Sequence, residues 1–230
     1  MKLAIMQPYF MPYIGYWQLM SAVDVYVVFD DVNFIKRGWI NRNNILLNGG
    51  SHMFTIALSK ASQNKKINEI EILDDFSKLK KTLHMAYSKA PYYEDVMMCF
   101  YKITEYKDRH VGRFMLNSFR VVFEYLNVSK TFILSSEIEK NNELKGCEKI
   151  KQICTLMHAD EYYNAIGGQS LYDREDFYRS GINLRFLRTK EIVYQQFGNA
   201  FMPNLSIIDV MMFNSPMEIK ENMLNRFDLV

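Results

Sequence analysis

Short apolar runs alternate with stretches of helical period along this chain. The runs at Lys2–Met6 and Val25–Phe29 predict strands, and the second, rich in β-branched and aromatic residues, is typical of a strand buried on both faces. Between them the pattern predicts a helix over Tyr16–Ala22. A strand, a helix and a second strand within about thirty residues predict the opening of a parallel sheet.

The rest of the chain continues this order around a helical middle. Further strands are predicted at 131–134, 161–165 and 184–187, and helices at 143–157, 173–180 and 207–213. The stretches 45–47 and 53–58 flank an Asn-Gly turn and predict a hairpin, followed by a short strand at 67–73. Residues 74–126 have a helical pattern that is interrupted at Pro91.

These elements predict an α/β fold with a mainly parallel, Rossmann-like sheet and flanking helices. We expect a single domain spanning residues 1–230, with a helical insertion at about 74–127.

Composition and charge narrow the function classes. The 28 basic and 26 acidic residues are mixed and leave a net charge of +2, which does not indicate nucleic-acid binding. Three scattered cysteines suggest a reducing compartment. The uncharged stretch 3–23 contains two prolines, a glycine and polar side chains, so we expect neither a targeting peptide nor a transmembrane helix, and a cytoplasmic location.

The loop between the first strand and the first helix is the first candidate site. Pro8 and Pro12 make it rigid, and Gly15 lacks a Cβ at the helix start, where backbone N–H groups can face an anion. Aromatic side chains would supply a stacking or hydroxyl-lined wall. The candidate ligand-binding residues here are Gln7, Tyr9, Tyr13, Gly15 and Tyr16. A rigid, aromatic-packed turn without a ligand is the alternative.

Asp30 and Asp31 follow the second predicted strand and are the candidate catalytic residues. Adjacent side chains on a strand point to opposite faces, so at most one carboxylate is expected to face a pocket. It could accept a hydrogen bond from an amine or hydroxyl, or bind Mg²⁺ beside a nucleotide, whereas a solvated turn or a helix cap is the alternative.

The third candidate is the polar stretch 36–43. Its cations, indole and amides suit a phosphate and sugar clamp, because arginine offers a bidentate fork and asparagine can bond hydroxyl groups. The candidate residues are Lys36, Arg37, Trp39, Asn41 and Arg42. A solvated loop is the alternative, although Trp39 and Ile40 would not be expected in mid-loop unless the loop folds onto something.

Weaker signals lie later in the chain. Gly167 and Gly168 suit either close backbone approach to a ligand or an ordinary turn. In the stretch 203–209 structural capping of the last helix by Ser206 or Asn204 is favoured. The four histidines lie apart, which predicts no metal site.

Five segments together resemble the WbqC-like family of bacterial proteins, and they extend over essentially the whole chain. They are 7–17, Asp30-Asp31, 36–43, the Gly167-Gly168 loop with Tyr172-Asp173, and 201–206. The resemblance implies a glycine or other acyl transferase that acts on amino sugars in surface-polysaccharide (O-antigen) biosynthesis. It also adds Tyr172 to the candidate binding residues.

The loop and Tyr13-Ile14-Gly15-Tyr16 also resemble the HIGH loop of nucleotidylyltransferases and pantothenate synthetase-like folds, with tyrosines in place of both histidines. That likeness implies amide formation through an acyl-adenylate and leaves ATP as a candidate cofactor. Lys190 lies in the region where a second, lysine-containing signature would be expected.

The leading hypothesis is an enzyme that attaches an acyl or aminoacyl group to a nucleotide-linked amino sugar. In it Lys36, Arg37 and Arg42 hold phosphates, aromatic side chains stack on base or sugar, and Asp30 or Asp31 deprotonates the amine. The alternative is a non-catalytic sugar-nucleotide-binding or scaffolding protein of the same pathway. A plain structural protein is the third possibility.

Overall fold

The computed structural model describes residues 1–198 and 200–230. The strands are β1 (Lys2–Met6), β2 (Val25–Val28), β3 (Arg42–Leu47), β4 (Gly50–Thr55), β5 (Leu58–Ser59), β6 (Glu71–Ile72), β7 (Thr131–Leu134), β8 (Glu161–Ala165), β9 (Asn183–Thr189) and β10 (Phe227–Leu229). The helices are α1 (Ile14–Ala22), α2 (Ser77–Tyr87), α3 (Tyr93–Thr104), α4 (Val111–Tyr125), α5 (Gly146–Leu156), α6 (Arg174–Arg179), α7 (Ile207–Phe213) and α8 (Pro216–Glu218).

Within the described residues, the main sheet has six strands in the order β10-β9-β8-β1-β2-β7. All neighbours are parallel except β10, which runs antiparallel to β9. Numbered along the chain, this is the doubly wound order 3-2-1-4-5-6. The predicted α/β fold with a mostly parallel central sheet is therefore confirmed. In such sheets ligands bind beyond the carboxyl ends of the strands, where the connections diverge, here next to β1 and β8.

Two hydrophobic cores cover the two faces of the sheet. One packs α1 and α4 against the sheet through aromatic contacts, such as that between Trp17 and Phe119 at 5.7 Å. The other packs Ile153 of α5 and Phe177 of α6 against Leu3 and Val27. The helix α1 belongs to the first of these cores, carries no charged side chain and has six of its nine residues buried.

Several boundaries differ from the predicted ones. The helix α1 starts at Ile14, two residues early, because Tyr13 stays extended as its N-cap. The predicted hairpin is confirmed as β3–β4, and its turn residues Asn48 and Gly49 both have positive φ, as a type I′ turn requires. The predicted strand 67–73 is mostly a 3₁₀ turn at Ile67–Glu69, followed by the two residues of β6.

Helices α2, α3 and α4 occupy the middle of the chain, inside the range expected for a helical insertion. That the chain is one domain with such an insertion stays a prediction.

Candidate functional site

The loop between β1 and α1 is held in place by residues that are far away in the sequence. The Met11 carbonyl accepts hydrogen bonds from Asn43 Nδ2 at 2.8 Å and from Ser206 Oγ at 2.6 Å. The Pro12 carbonyl accepts from Trp17 Nε1 at 3.0 Å. Met11 itself has a φ of 47°, which is strained for a side chain of this kind. Three segments that the sequence singled out separately therefore meet at this loop.

An open cleft of about 370 Å³ lies where these segments meet. It is called the aromatic cleft below, and it is lined by Tyr9, Pro12, Tyr13, Trp39, Asn43, Asn44 and Asn204. Tyr13 is 37% and Trp39 is 44% exposed, so large aromatic side chains face solvent here. Aromatic faces beside a few convergent amides are a typical lining for a small-molecule site.

The tyrosine hydroxyls of the cleft remain protonated at neutral pH. Burial raises the pKa of Tyr13, and burial together with the neighbouring Tyr13 raises the pKa of Tyr9. Each phenol can therefore donate as well as accept a hydrogen bond to a ligand.

The loop that carries Trp39 is organised by Arg42. Its Nε donates to the Gly38 carbonyl at 2.8 Å, its Nη2 donates to the Arg37 carbonyl, and the guanidinium lies 5.6 Å from the centre of the Trp39 ring. Arg37 has a φ of 60°, a second left-handed residue next to the cleft. Arg42 thus uses two of its N–H donors to hold the loop backbone, and its guanidinium packs against the indole.

Two other cations of this loop are turned to solvent. Lys36 and Arg37 are exposed, and neither forms an ion pair within the part of the chain that the structure describes. Asn41 donates from Nδ2 to the Ile56 carbonyl at 2.8 Å and so anchors the loop. Among the candidate residues of this loop, Lys36 and Arg37 are the ones with cationic groups available for a phosphate.

At the start of α1, side chains of the protein occupy the space next to Gly15. A Cβ on Gly15 would overlap Thr189 Oγ1 and lie 2.5 Å from Cε2 of the Tyr13 ring. Tyr16 is buried and donates its hydroxyl to the Gln7 carbonyl. The Tyr13 ring and Thr189 therefore occupy the space beside Gly15, while Tyr16 holds the loop at Gln7.

The two adjacent aspartates have different surroundings. Asp31 Oδ2 lies 2.9 Å from Lys140 Nζ and 2.8 Å from Lys149 Nζ, and Asp31 Oδ1 accepts from Ser135 Oγ at 2.7 Å. Burial alone would raise the pKa of Asp31, but the hydrogen bonds from both lysines and Ser135 outweigh it and the pKa is lowered. Asp31 is therefore committed to a buried ion-pair cluster.

Asp30 has no such cluster. It is 1% exposed and accepts from the Ser136 amide at 2.9 Å and from Ser136 Oγ at 2.7 Å. Burial raises its pKa, and the bonds from Ser136 only partly offset this. Asp30 lines a separate cavity of about 250 Å³ and is not among the residues that line the aromatic cleft.

The glycine loop after β8 also lies outside the aromatic cleft. A Cβ on Gly168 would come within 3.1 Å of the Asn164 side chain, whereas the Cβ position of Gly167 has no atom within 4 Å. Tyr172 packs edge-on against Tyr162 and Phe177. These residues lie beyond the carboxyl end of β8, next to β1, and the cleft lining does not include them.

A second cleft, of about 430 Å³, opens on the other side of Tyr13 and Asn204. Its wall includes Thr189 and Lys190 at the end of β9 and the aromatic ring of Tyr194. Lys190 Nζ pairs with Asp228 at 2.8 Å. Apart from Lys190, sequence reasoning singled out none of these three residues, because most of this wall belongs to the irregular tract after β9, where periodicity carries no information.

The tract after β9 is anchored on one buried carboxylate. Asp209 is fully buried and accepts from Tyr87 and Gln196 at 2.7 Å each and from Tyr194 at 2.6 Å. Burial raises its pKa, and these three donors partly offset the shift. Ser206 caps α7, as expected, by accepting from the Ile208 amide at 3.2 Å. The only cue for Asp209 in the sequence was its place in the first turn of a helix, which indicates capping.

One group of potential metal ligands occurs among the described residues, formed by Cys147, Glu148 and Asp176. Lys151 Nζ lies 2.7 Å from Glu148 and 3.0 Å from Asp176, so a lysine already pairs with both carboxylates. In the described part of the chain no helix is long and apolar enough to cross a membrane.

The model of the WbqC-like protein family matches residues 7–221. An uncharacterized protein of Mycobacterium tuberculosis is 27% identical over 217 residues, which cover 91% of this chain and 92% of the relative. No solved structure matches the chain.

Proposed function

Since the chain belongs to the WbqC-like protein family, we propose that it attaches a small acyl or aminoacyl group, such as glycyl, to an amino sugar. The sugar would be nucleotide-linked, and the reaction would serve the biosynthesis of a bacterial surface polysaccharide such as O-antigen in the cytoplasm. The amino sugar and an acyl or aminoacyl donor are the partners that this proposal requires.

The observation that carries the proposal is the aromatic cleft. Tyr13 and Trp39 offer exposed ring faces on which the C–H face of a sugar or the plane of a base can stack. The amides of Asn43, Asn44 and Asn204 supply donors and acceptors for sugar hydroxyls. A volume of about 370 Å³ lies in the range of small-molecule sites.

Charge favours a phosphorylated ligand over a neutral sugar. Lys36 and Arg37 lie in the loop that carries Trp39, both are exposed, and the cleft lining itself holds no carboxylate. A diphosphate that leaves the cleft toward this loop would gain charge-assisted hydrogen bonds.

Amide formation needs a neutral amine, so a base must remove a proton as the bond forms. In the proposed step the amine nitrogen attacks the acyl carbon, the leaving group departs with its electron pair, and Asp30 takes the proton from nitrogen. This step requires the sugar amine to reach from the aromatic cleft into the separate cavity that Asp30 lines. Asp30 fits this role better than Asp31, because it lines an open cavity while Asp31 is held by two lysines. Activation of the acyl group, for which ATP is a candidate, is left to the donor.

One observation favours the second candidate function, a non-catalytic sugar-nucleotide-binding protein. The described residues that line the aromatic cleft include no aspartate, glutamate, histidine or lysine that could act as a base there. A cleft of this composition can hold a ligand without reacting with it.

The two candidates are separated by measuring binding and turnover on the same protein. Calorimetry with UDP-glucosamine measures binding, and mass spectrometry after incubation with glycine plus ATP, or with acetyl-CoA, detects an amide product. A product that disappears in Asp30→Asn supports the enzyme. Saturable binding without a product from either donor supports the binding protein, and absence of binding overturns both.

A further inference from the structure

A small cavity, separate from both clefts, lies at the carboxyl ends of β2 and β7. It is called the Asp30 cavity here, measures about 250 Å³ and is lined by Asp30, Asn68, His110, Gly112, Arg113 and Ser136. It shares no lining residue with the aromatic cleft. Three separate chain segments besides β2 build it, so it is not a local feature of one loop.

The inner end of the Asp30 cavity presents hydrogen-bond acceptors. Asp30 is 1% exposed, and no lysine, arginine or histidine of the described residues forms an ion pair with it. Asn68 Oδ1 is buried and has no hydrogen-bond partner in the described part of the chain. A buried carboxylate without a counter-charge and a buried orphan acceptor are both costly, and a bound donor would satisfy them together.

The backbone is shaped to bring helix α4 against this carboxylate. A Cβ on Gly112 would lie 2.8 Å from Asp30 Oδ2 and from Asp30 Cβ, so only glycine lets the helix start approach this closely. The acceptor end is thus fixed on one side by Ser136 and on the other by α4.

The cationic side chain of Arg113 lies at the outer end of the cavity. Arg113 is 58% exposed and uses Nη1 for Asp108 at 3.2 Å, which leaves its other nitrogens without a hydrogen bond among the described residues. His110 is 50% exposed and contacts Asp108 and Glu71. A ligand with a cation at one end and an anion at the other can therefore pair with Asp30 at the inner end and with the remaining guanidinium nitrogens of Arg113 at the outer end.

From this juxtaposition we propose that the Asp30 cavity binds a small molecule that carries a primary ammonium group and an anionic group. The ammonium donates to Asp30 and Asn68, and the carboxylate or phosphate faces Arg113. The assignment deepens the proposed function, since it gives an amine a place next to Asp30. Only the role of Asp30 as a base rests on the proposed function. Binding of the ligand to the Asp30 cavity is tested without any turnover.

Binding is measured by calorimetry or ligand-observed NMR with three probes: glycine, glucosamine 1-phosphate and glycolate. The first two carry an ammonium and an anion, while glycolate has a hydroxyl in place of the ammonium. We expect saturable binding of glycine, of glucosamine 1-phosphate or of both, and binding of glycolate at least about tenfold weaker. The stronger of the two ammonium probes identifies an amino acid or an amino-sugar phosphate as the source of the ammonium.

Variants locate the site. Asp30→Asn is expected to weaken binding of the ammonium probe at least about tenfold, and Arg113→Gln several-fold. Glu94→Gln, an exposed carboxylate on α3, is the matched control and should bind like the wild type. If Asp30→Asn does not fold, Arg113→Gln decides, because its side chain is exposed and its loss should leave the fold intact.

The proposal is overturned if neither ammonium probe binds, whether or not Mg²⁺ does, if glycolate binds as well as glycine, or if a folded Asp30→Asn variant binds unchanged. Trp39→Ala separates this result from the proposed function. It should leave glycine binding intact while it weakens binding of UDP-glucosamine, because Trp39 lines only the aromatic cleft.

Discussion

Replacing Gly15 by alanine tests whether the start of α1 is packed as the structure has it. The new Cβ would overlap Thr189 Oγ1 and lie 2.5 Å from the Tyr13 ring. Thr189 Oγ1 donates to Gln18 Oε1 at 2.7 Å, and Gln18 is fully buried, with its Nε2 donating to the Met223 carbonyl at 2.7 Å. The methyl group must therefore displace either the Tyr13 wall of the cleft or this buried polar contact.

Two opposing effects decide whether Gly15→Ala raises or lowers the free energy of unfolding. Alanine in a helix is intrinsically more stable than glycine by about 0.5–1 kcal/mol. Overpacking costs about 1–3 kcal/mol, and a Gln18 oxygen left buried without its donor adds about 1–3 kcal/mol. If both penalties are partly relaxed, Gly15→Ala should lower the free energy of unfolding by about 1–4 kcal/mol.

The assay is urea unfolding followed by tryptophan fluorescence, with Gly167→Ala as the matched control. Gly167 has no atom within 4 Å of its Cβ position, so this variant should stay within about 0.5 kcal/mol of the wild type. Gly15→Ala should also weaken UDP-glucosamine binding, because Tyr13 lines the cleft. A Gly15→Ala protein that is as stable as the wild type and binds as well would refute the packing described for the helix start.

Three further predictions concern buried polar groups. Asp31→Asn leaves the buried ammonium groups of Lys140 and Lys149 without a counter-charge and should cost about 3–5 kcal/mol in denaturant unfolding. The pKa of Asp31 is lowered in the folded protein, so the carboxylate stabilises the fold above its ordinary pKa of 3.8, and this stabilisation is lost as the pH falls through the folded-state pKa. The free energy of unfolding, measured from pH 5 to 2, should therefore fall less steeply in Asp31→Asn than in the wild type. An unchanged slope would contradict this. Asn43→Ala removes the side-chain amide donor to the opening loop and should cost about 1–3 kcal/mol and weaken UDP-glucosamine binding; a stable variant with intact binding would argue against this anchor. Asp209→Asn places an amide N–H₂ among three donors and should cost about 1–3 kcal/mol by thermal unfolding, with an unchanged Tm as the contrary result.

The sheet could be predicted from the sequence because its central strands are buried on both faces. The continuous apolar run at Val25–Phe29 indicates a strand of this kind, and the structure has β2 there with three of its four residues buried. The last strand, β10, was missed because its residues Phe227–Leu229 are largely exposed at the edge of the sheet and show no apolar run.

The site could be predicted only in part. Tyr9, Tyr13 and Trp39 stood out as unusual aromatics in loops, and the structure brings them into one cleft. Asn204 completes that cleft from a segment that the sequence indicated only as a helix cap. Contacts between loops about 160 residues apart leave no periodic signal in a single sequence.

The adjacent aspartates show the same limit more sharply. Asp30 and Asp31 look equivalent in the sequence, because what separates them is the presence of Lys140 and Lys149 more than a hundred residues later. Alternation along a strand predicted that at most one would face a pocket, but it could not say which one. Tertiary structure alone gives Asp31 its counter-charges and gives Asp30 the cavity.

In the proposed function the aromatic cleft binds a nucleotide-linked amino sugar through its exposed rings. The most direct measurement compares the Kd of UDP-glucosamine for the wild type, Trp39→Phe and Trp39→Ala by calorimetry. We predict saturable binding by the wild type, near wild-type binding by Trp39→Phe, and at least about tenfold weaker binding by Trp39→Ala, since stacking on one aromatic ring contributes about 1–3 kcal/mol. Binding that is equally tight in Trp39→Ala, or absent from the wild type, would contradict the account.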